Sequence, residues 1–340
     1  MKNNIRLLVD TGAYPLMHEA LMYTLDVSRR HDAWPDAAVC RDSGKYKHVM
    51  VFVFGDKVRT YDLNTGRVAE FAQLPLDCNS SSDISITIFD NILHVLFNKA
   101  TTPGQQGFGM YAQTNCHINK EVYVLAKEKT WVKVNSMKDN RTVILLPQGN
   151  HIYHCYLSAN PRHNMFGVQN NPGLHSFCCV YGHASVCTEC CKLENYGNCL
   201  VRFHKYILVF GTKINATAVE CYNTETRQTH KCETSISGTA ENMVSFTHGT
   251  DVYILQRNGS LWKVFSTNTT PVDFVLVSQL WDFDCSLKGC VLFRKTLFIF
   301  CNNKPSELTM SSLPGIFASI QIINIDSRTP CLPMIQKLAL

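Results

Sequence analysis

Short apolar runs broken by brief polar turns recur along most of the chain. Residues 51–71 read VFVFGDKVRTYDLNTGRVAEF: an apolar run, a Gly-Asp break, a run closing on Tyr61-Asp62, a polar turn, then another apolar run. Runs of this length, rich in β-branched and aromatic residues and bounded by Gly, Asp and Asn, predict strands joined by tight turns. The same order returns downstream. Residues 91–97 predict a strand, and 121–134 predict strand, polar turn, strand. A looser copy joins 151–157 to 174–181 and 185–191. The closest echo is YILVFGT at 206–212 followed by AVECYNTETR at 218–227, which matches the Val53-Phe-Gly-Asp56 and Tyr61-Asp-Leu-Asn-Thr-Gly-Arg67 pieces in turn. Residues 252–256 with 260–265, and 296–301 with 319–326, extend the series.

A further β-like run precedes each copy, at 36–40, 84–88, 142–146, 199–203, 243–246 and 289–293, so the expected unit has four strands. The anchor positions Tyr61, Tyr123, Tyr181, Tyr222, Trp262 and Ile323 fall roughly 50 residues apart, a repeat-protein period. Six such units predict an all-β, six-bladed β-propeller over residues 34–340, a fold whose radial repetition leaves few exposed sheet edges. A β-sandwich with coincidental spacing is the alternative, but it does not explain the fixed order of strand, turn and strand. Residues 1–33 differ. Pro15 suits a first helical turn, Leu16, Ala20 and Tyr23 share helical spacing, and Arg29-Arg30 suits a helix C-terminus, so a helical lead is expected there.

The chain has 340 residues, 45% hydrophobic and 17% charged, with a net charge of +5. This composition buries a large core and excludes a disordered chain. The basic residues are dispersed, so the clustered footprint of a nucleic-acid binder is missing. No stretch approaches the roughly 20 apolar residues of a membrane span, and charges and Pro15 interrupt the beginning where a secretory segment would lie. The expectation is a cytoplasmic or nuclear protein with neither nucleic-acid nor membrane partners. Many of the 16 cysteines lie inside apolar runs, where a thiol packs as a small hydrophobe, so buried free thiols are expected rather than disulfides.

The Gly55-Asp56 and Gly211-Thr212 breaks, the Tyr61-Asp-Leu-Asn-Thr phrase and Trp131 resemble the glycine pair, Tyr-Asp and Trp of Kelch repeats. The resemblance covers about residues 34–340 and is degenerate, because no unit keeps both glycines. PLMHEALMYTL at 15–25 is similar to the last helix of the BACK domain in BTB-BACK-Kelch proteins; a capping helix packed on the propeller is the other reading. Membership would imply a substrate receptor of a cullin-type ubiquitin ligase. The cullin would then be reached through a BTB domain absent from this chain, and the ligase chemistry would come from partners.

Catalytic motifs are scarce. Asp10-Thr-Gly12 matches the aspartic-protease triplet, but a second carboxylate to share the proton is missing, and Asp10 or Thr11 serves equally as a helix cap. Kelch-type oxidases need a copper site with a Tyr-Cys crosslink, for which these residues offer no identifiable counterpart. Cys187 and Cys190 form one Cys-x-x-Cys; with His183 and Cys199 they would make a zinc quartet, although two cysteines packing between blades is the simpler reading. No enzyme activity, metal or cofactor is therefore expected.

Binding is the expected role. Long insertions interrupt the units at 98–119, 158–173 and 302–315, each between the second and third strand, and long loops on a rigid scaffold are where recognition concentrates. They carry Phe108, Tyr111, His117, Arg162, His163, Phe166 and Lys304, with Arg141 in a segment between units. Aromatic and Arg side chains are the types that anchor interfaces, so these eight are the candidate partner-binding residues for a protein or peptide. Stapling of the loops to the scaffold is the alternative role for each. An actin-associated Kelch scaffold remains a second functional class.

Overall fold

The computed structural model describes residues 46–75, 84–89, 91–99, 119–126, 129–138, 142–148, 151–159, 170–180, 183–184, 188–193, 197–213, 216–232, 234, 236, 243–267, 270–282, 284–302 and 314–337. Every element among them is a strand. The first blade has β1 (Tyr46–Phe54), β2 (Lys57–Asp62) and β3 (Val68–Gln73); the second has β4 (Ile84–Phe89), β5 (Ile92–Lys99), β6 (Asn119–Leu125) and β7 (Trp131–Lys138). The third comprises β8 (Thr142–Gln148), β9 (His151–Ala159), β10 (Asn170–Val180), β11 (His183–Ala184) and β12 (Thr188–Lys192). Next come β13 (Gly197–Phe203), β14 (Tyr206–Lys213), β15 (Ala216–Asn223) and β16 (Thr229–Cys232), then β17 (Val244–His248), β18 (Asp251–Leu255), β19 (Ser260–Phe265) and β20 (Asp273–Gln279). The last strands are β21 (Ser286–Phe293), β22 (Thr296–Asn302), β23 (Ser319–Asn324) and β24 (Leu332–Lys337).

These strands form a propeller arrangement with five antiparallel blades of four or more strands. The remaining sheet, β21–β22–β23, has three strands, and β23 runs parallel to β22 with Thr296 opposite Ser319. The expectation of a six-bladed Kelch-type propeller built from six equal four-stranded units is thus corrected. The physical reason is the fate of β24. It does not extend the last sheet but pairs antiparallel with β1, Val51 opposite Leu332, and so supplies the innermost strand of the first blade. The run at 36–40, expected in that role, lies outside the described residues, as does the expected helical lead at 1–33. No helix occurs among the described residues, and so none is long and apolar enough to cross a membrane.

Position in the blade decides how each strand reads. Middle strands are covered on both faces by neighbouring sheets, so β1 is buried without a break from His48 to Val53, and Val252–Leu255 of β18 and Leu297–Cys301 of β22 are continuous apolar runs. Outermost strands face water: β3 is exposed along most of its length, and β20 leaves Val275 and Leu276 about half exposed. The core accordingly lies between sheets. The third-strand anchors sit there: Tyr61 meets the Phe300 ring edge-on at 5.4 Å, Tyr222 lies 6.1 Å from Tyr153, and Trp262 joins Phe203 and Phe210 of the preceding blade. Tyr123 and Ile323 also fall on third strands, whereas Tyr181 lies outside the described residues.

The repeated phrase builds the same turn twice. In the first blade Asp62 Oδ1 accepts from the amides of Asn64 and Thr65, and Gly66 donates to the Asp62 carbonyl at φ 69°. In the fourth, Asn223 Oδ1 accepts from Glu225 and Thr226, and Arg227 donates to the Asn223 carbonyl at φ 59°. An Asx side chain satisfying its own loop explains why Asp and Asn interchange here. Arg227 holds by strain a left-handed conformation that Gly66 adopts freely.

Candidate partner-binding face

The antiparallel registers fix where the insertions emerge. Lys99 pairs with Asn119 and Ala159 with Asn170, so segments 100–118 and 160–169 leave and return at the same end of their sheets. That end also carries Gly55-Asp56 between β1 and β2, and Gln256 to Gly259 between β18 and β19. The third insertion behaves differently. Because β23 is parallel to β22, residues 303–318 start at this face and finish at the opposite one, where Ala318 donates to the Lys295 carbonyl. Its expected placement as a simple loop on the first face is corrected for that reason. Phe108, Tyr111, His117, Arg141, Arg162, His163, Phe166 and Lys304 all lie outside the described residues.

The described rim of this face consists of charges held by specific partners. Lys57 Nζ contacts Glu70 at 2.7 Å, and the Arg59 guanidinium stacks over the Phe54 ring at 4.4 Å. The Lys57 hydrogen bond holds the Glu70 carboxyl below its usual range. Arg328 donates through Nη1 to the Gly55 carbonyl and through its amide to Val53, tying the segment before β24 onto the first blade. Arg257 pairs with Asp284 at 2.8 Å, while its carbonyl accepts from Trp281 Nε1 at 3.0 Å.

Phe54 is 38% exposed, which with Arg59 makes an aromatic-cation pair of the kind that anchors interfaces. Sequence reasoning missed this pair, although a signal existed. A two-residue turn at Gly55-Asp56 pairs Phe54 with Lys57 and Phe52 with Arg59, which puts Phe54 and Arg59 diagonally on one face.

The zinc quartet does not assemble. Cys190 packs into the core between the third and fourth blades, whereas Cys199 packs with Met243 and Phe203 on the other side of the fourth blade. Leu200 rather than Cys199 faces the Cys190 side, as strand alternation requires. Cys187 lies outside the described residues. Cys190, Cys191, Cys199, Cys221, Cys232, Cys285, Cys290, Cys301 and Cys331 are free thiols.

On the opposite face, the His204-Lys205 turn, Glu225, Thr267 and Pro271 line a shallow cleft of about 480 Å³. Lys205 and Glu225 pair across it at 3.2 Å with both side chains exposed, so this contact is worth little.

No known family model matches the chain, and no curated protein sequence matches it. Solved structures do. A chain in the crystal structure of a nidogen/laminin complex superposes with a TM-score of 0.50 at 6% identity, covering 75% of this chain and 85% of that one. YjhT gives 0.46 at 12% identity over 78% and 94% of the two chains. A puromycin-hydrolyzing peptidase of Mycobacterium tuberculosis gives 0.46 at 8% identity, covering 72% of this chain and 40% of that one. The nidogen/laminin likeness supports the propeller fold, and at this identity it speaks to fold alone.

Proposed function

We propose that this chain is a protein-binding propeller that takes a protein or peptide segment on the face from which residues 100–118 and 160–169 emerge. One observation carries the reading: two long insertions open, through independent registers, on the same end of adjacent blades, on the face that also carries the Phe54-Arg59 pair with its exposed Phe54 ring. A rigid array of sheets supplies the fixed spacing, and the loops supply the recognition chemistry. The proposal assigns no catalysis, metal or cofactor to the chain and places it in the cytoplasm or nucleus.

The finer reading is a substrate receptor of a cullin-type ubiquitin ligase. It rests on the Kelch-like Gly-Asp and Tyr-Asp-Leu-Asn-Thr residues and on the turn shared by Tyr61–Gly66 and Tyr222–Arg227.

Affinity purification followed by mass spectrometry tests the binding face. The Tyr111→Ala, Arg162→Ala, His163→Ala triple variant is expected to lose specific partners that a Lys205→Ala, Glu225→Ala variant of the other face keeps. Undiminished partners in the triple variant would reject this face. Recovery of a cullin with the native full-length protein supports the receptor reading, whereas co-sedimentation with filaments would replace it by an actin-associated scaffold.

A further inference from the structure

Cys221 lies on β15 and Cys232 on β16, the outermost strand of the fourth blade. In the register Cys221 faces His230 and Cys232 faces Val219, so the two cysteines are diagonal neighbours, and residues two apart on a strand share a face. Their sulfurs stand 2.7 Å apart, about 0.7 Å beyond the ~2.05 Å of a disulfide bond.

Burial divides the pair. Cys221 is fully buried, whereas Cys232 is half-buried on a strand whose outer edge has no partner strand among the described residues. Charge divides it the same way. The hydrogen bond between the thiols holds Cys232 below the usual thiol range, and the same contact, with burial, pushes Cys221 above it. A second close pair, Cys285 and Cys301, contrasts with this one, because both of its members are buried and neither meets a dissolved oxidant first.

We propose that Cys221 and Cys232 form a reversible cross-strand disulfide that staples β16 to β15, with Cys232 as the thiol that meets the oxidant. The oxidant class is a low-molecular-weight disulfide such as glutathione disulfide. The Cys232 thiolate attacks one glutathione sulfur, forming a mixed disulfide and releasing one glutathione thiolate, which takes up a proton. Cys221 then loses its proton and attacks the Cys232 sulfur, which expels the second glutathione. The protein loses two protons and two electrons, and glutathione disulfide, gaining both, becomes two glutathione molecules. Cys232 also packs against the core that holds Ile236 and Phe274, so the staple fixes the point from which the chain leaves this blade toward β17.

The test treats the intact chain with glutathione disulfide at graded glutathione ratios, alkylates the remaining thiols and reads each cysteine by peptide mass spectrometry. Cys221 and Cys232 are expected to lose alkylation together as one crosslinked species, while Cys199, Cys290 and Cys331 remain thiols that alkylate after denaturation. Amide exchange in β16 is expected to slow at least tenfold on oxidation. In Cys221→Ala, Cys232 is expected to accumulate as a stable glutathione adduct; Cys221→Ser repeats the trap if the alanine variant folds poorly. In Cys232→Ala, Cys221 is expected to stay a thiol. A wild-type chain that carries the adduct at Cys232 with Cys221 free, or that keeps both thiols at ratios that oxidise its unfolded form, overturns the proposal.

Discussion

Replacing Gly259 by Ala tests how the fifth blade is joined to the last sheet. Gly259 sits in the β18–β19 turn at φ 86°, donates to the Gln256 carbonyl at 2.9 Å and accepts from Leu280 at 2.9 Å. A Cβ there would meet the Trp281 carbonyl oxygen and lie 2.7 Å from both Trp281 Cγ and Trp281 N. Trp281 is 2% exposed, and its ring is pinned to the Arg257 carbonyl, so neither the backbone nor the ring has room to yield. The left-handed backbone costs an L-residue about 1–2 kcal/mol. Forcing the neighbour aside adds about 1–3 kcal/mol, for a total of about 2–5 kcal/mol. With an unfolding entropy of ~2.1 cal/mol/K per residue, the whole chain loses about 1.4 °C of Tm per kcal/mol, so the expected fall is about 3–7 °C by scanning calorimetry. Gly249→Ala is the control: its φ is 61°, but no atom lies within 4 Å of the added carbon, so only the backbone cost applies, about 1.5–3 °C. Equal shifts in the two variants would refute the close approach of Trp281.

Arg227→Gly relieves left-handed strain in the fourth-blade turn and is expected to raise stability by about 1 kcal/mol, while Gly66→Ala lowers it by a similar amount; opposite signs in thermal melts check both. Lys133→Met removes the cation 2.5 Å from Glu121, a carboxylate side chain only 5% exposed that also accepts from Tyr123. A loss of about 1–3 kcal/mol is expected, largely restored in the Glu121→Gln, Lys133→Met double variant; a simple sum of the single losses would contradict the coupling. Burial pushes the Tyr153 hydroxyl up to about 12 and raises Tyr222 as well. Because the folded value lies above the unfolded one, this contribution to stability is complete below pH 10 and is lost as pH rises through 12. Tyrosinate absorbance should therefore include a fraction titrating near 12 in native protein, smaller by one tyrosine in Tyr153→Phe, where Tyr253, which burial also pushes up to about 12, keeps its share. Native tyrosines that all ionise as in denatured protein would count against the burial of this ring.

Local chemistry made much of the scaffold legible. Tyr61, Tyr123, Tyr222 and Trp262 mark third strands because an aromatic side chain there fills the gap between sheets, and a gap of similar width recurs at a similar interval. Asp62 and Asn223 announced their turns because an Asx side chain satisfies its loop with no help from elsewhere. The site was less legible. The seven residues chosen from the insertions, and Arg141 from a segment between units, lie outside the described residues. The Phe54-Arg59 pair escaped notice because aromatic residues at strand ends resemble those in the core until a register joins them.

What the chain determines by itself is what neighbours in sequence decide: strand and turn order, continuous apolar runs for middle strands and the phrase that repeats in the first and fourth blades. What the tertiary structure decides depends on partners far away in sequence. Leu332–Lys337 reads as well for a last blade as for a first one, and the ring closes through β1 because the inner edge of that sheet offers unpaired backbone groups. Residues 319–324 have the apolar composition of an antiparallel third strand, yet they run parallel, a direction set by the path of the connection rather than by the strand's own residues. Cys221 and Cys232 likewise belong to unremarkable strands until the β15–β16 register brings their sulfurs together.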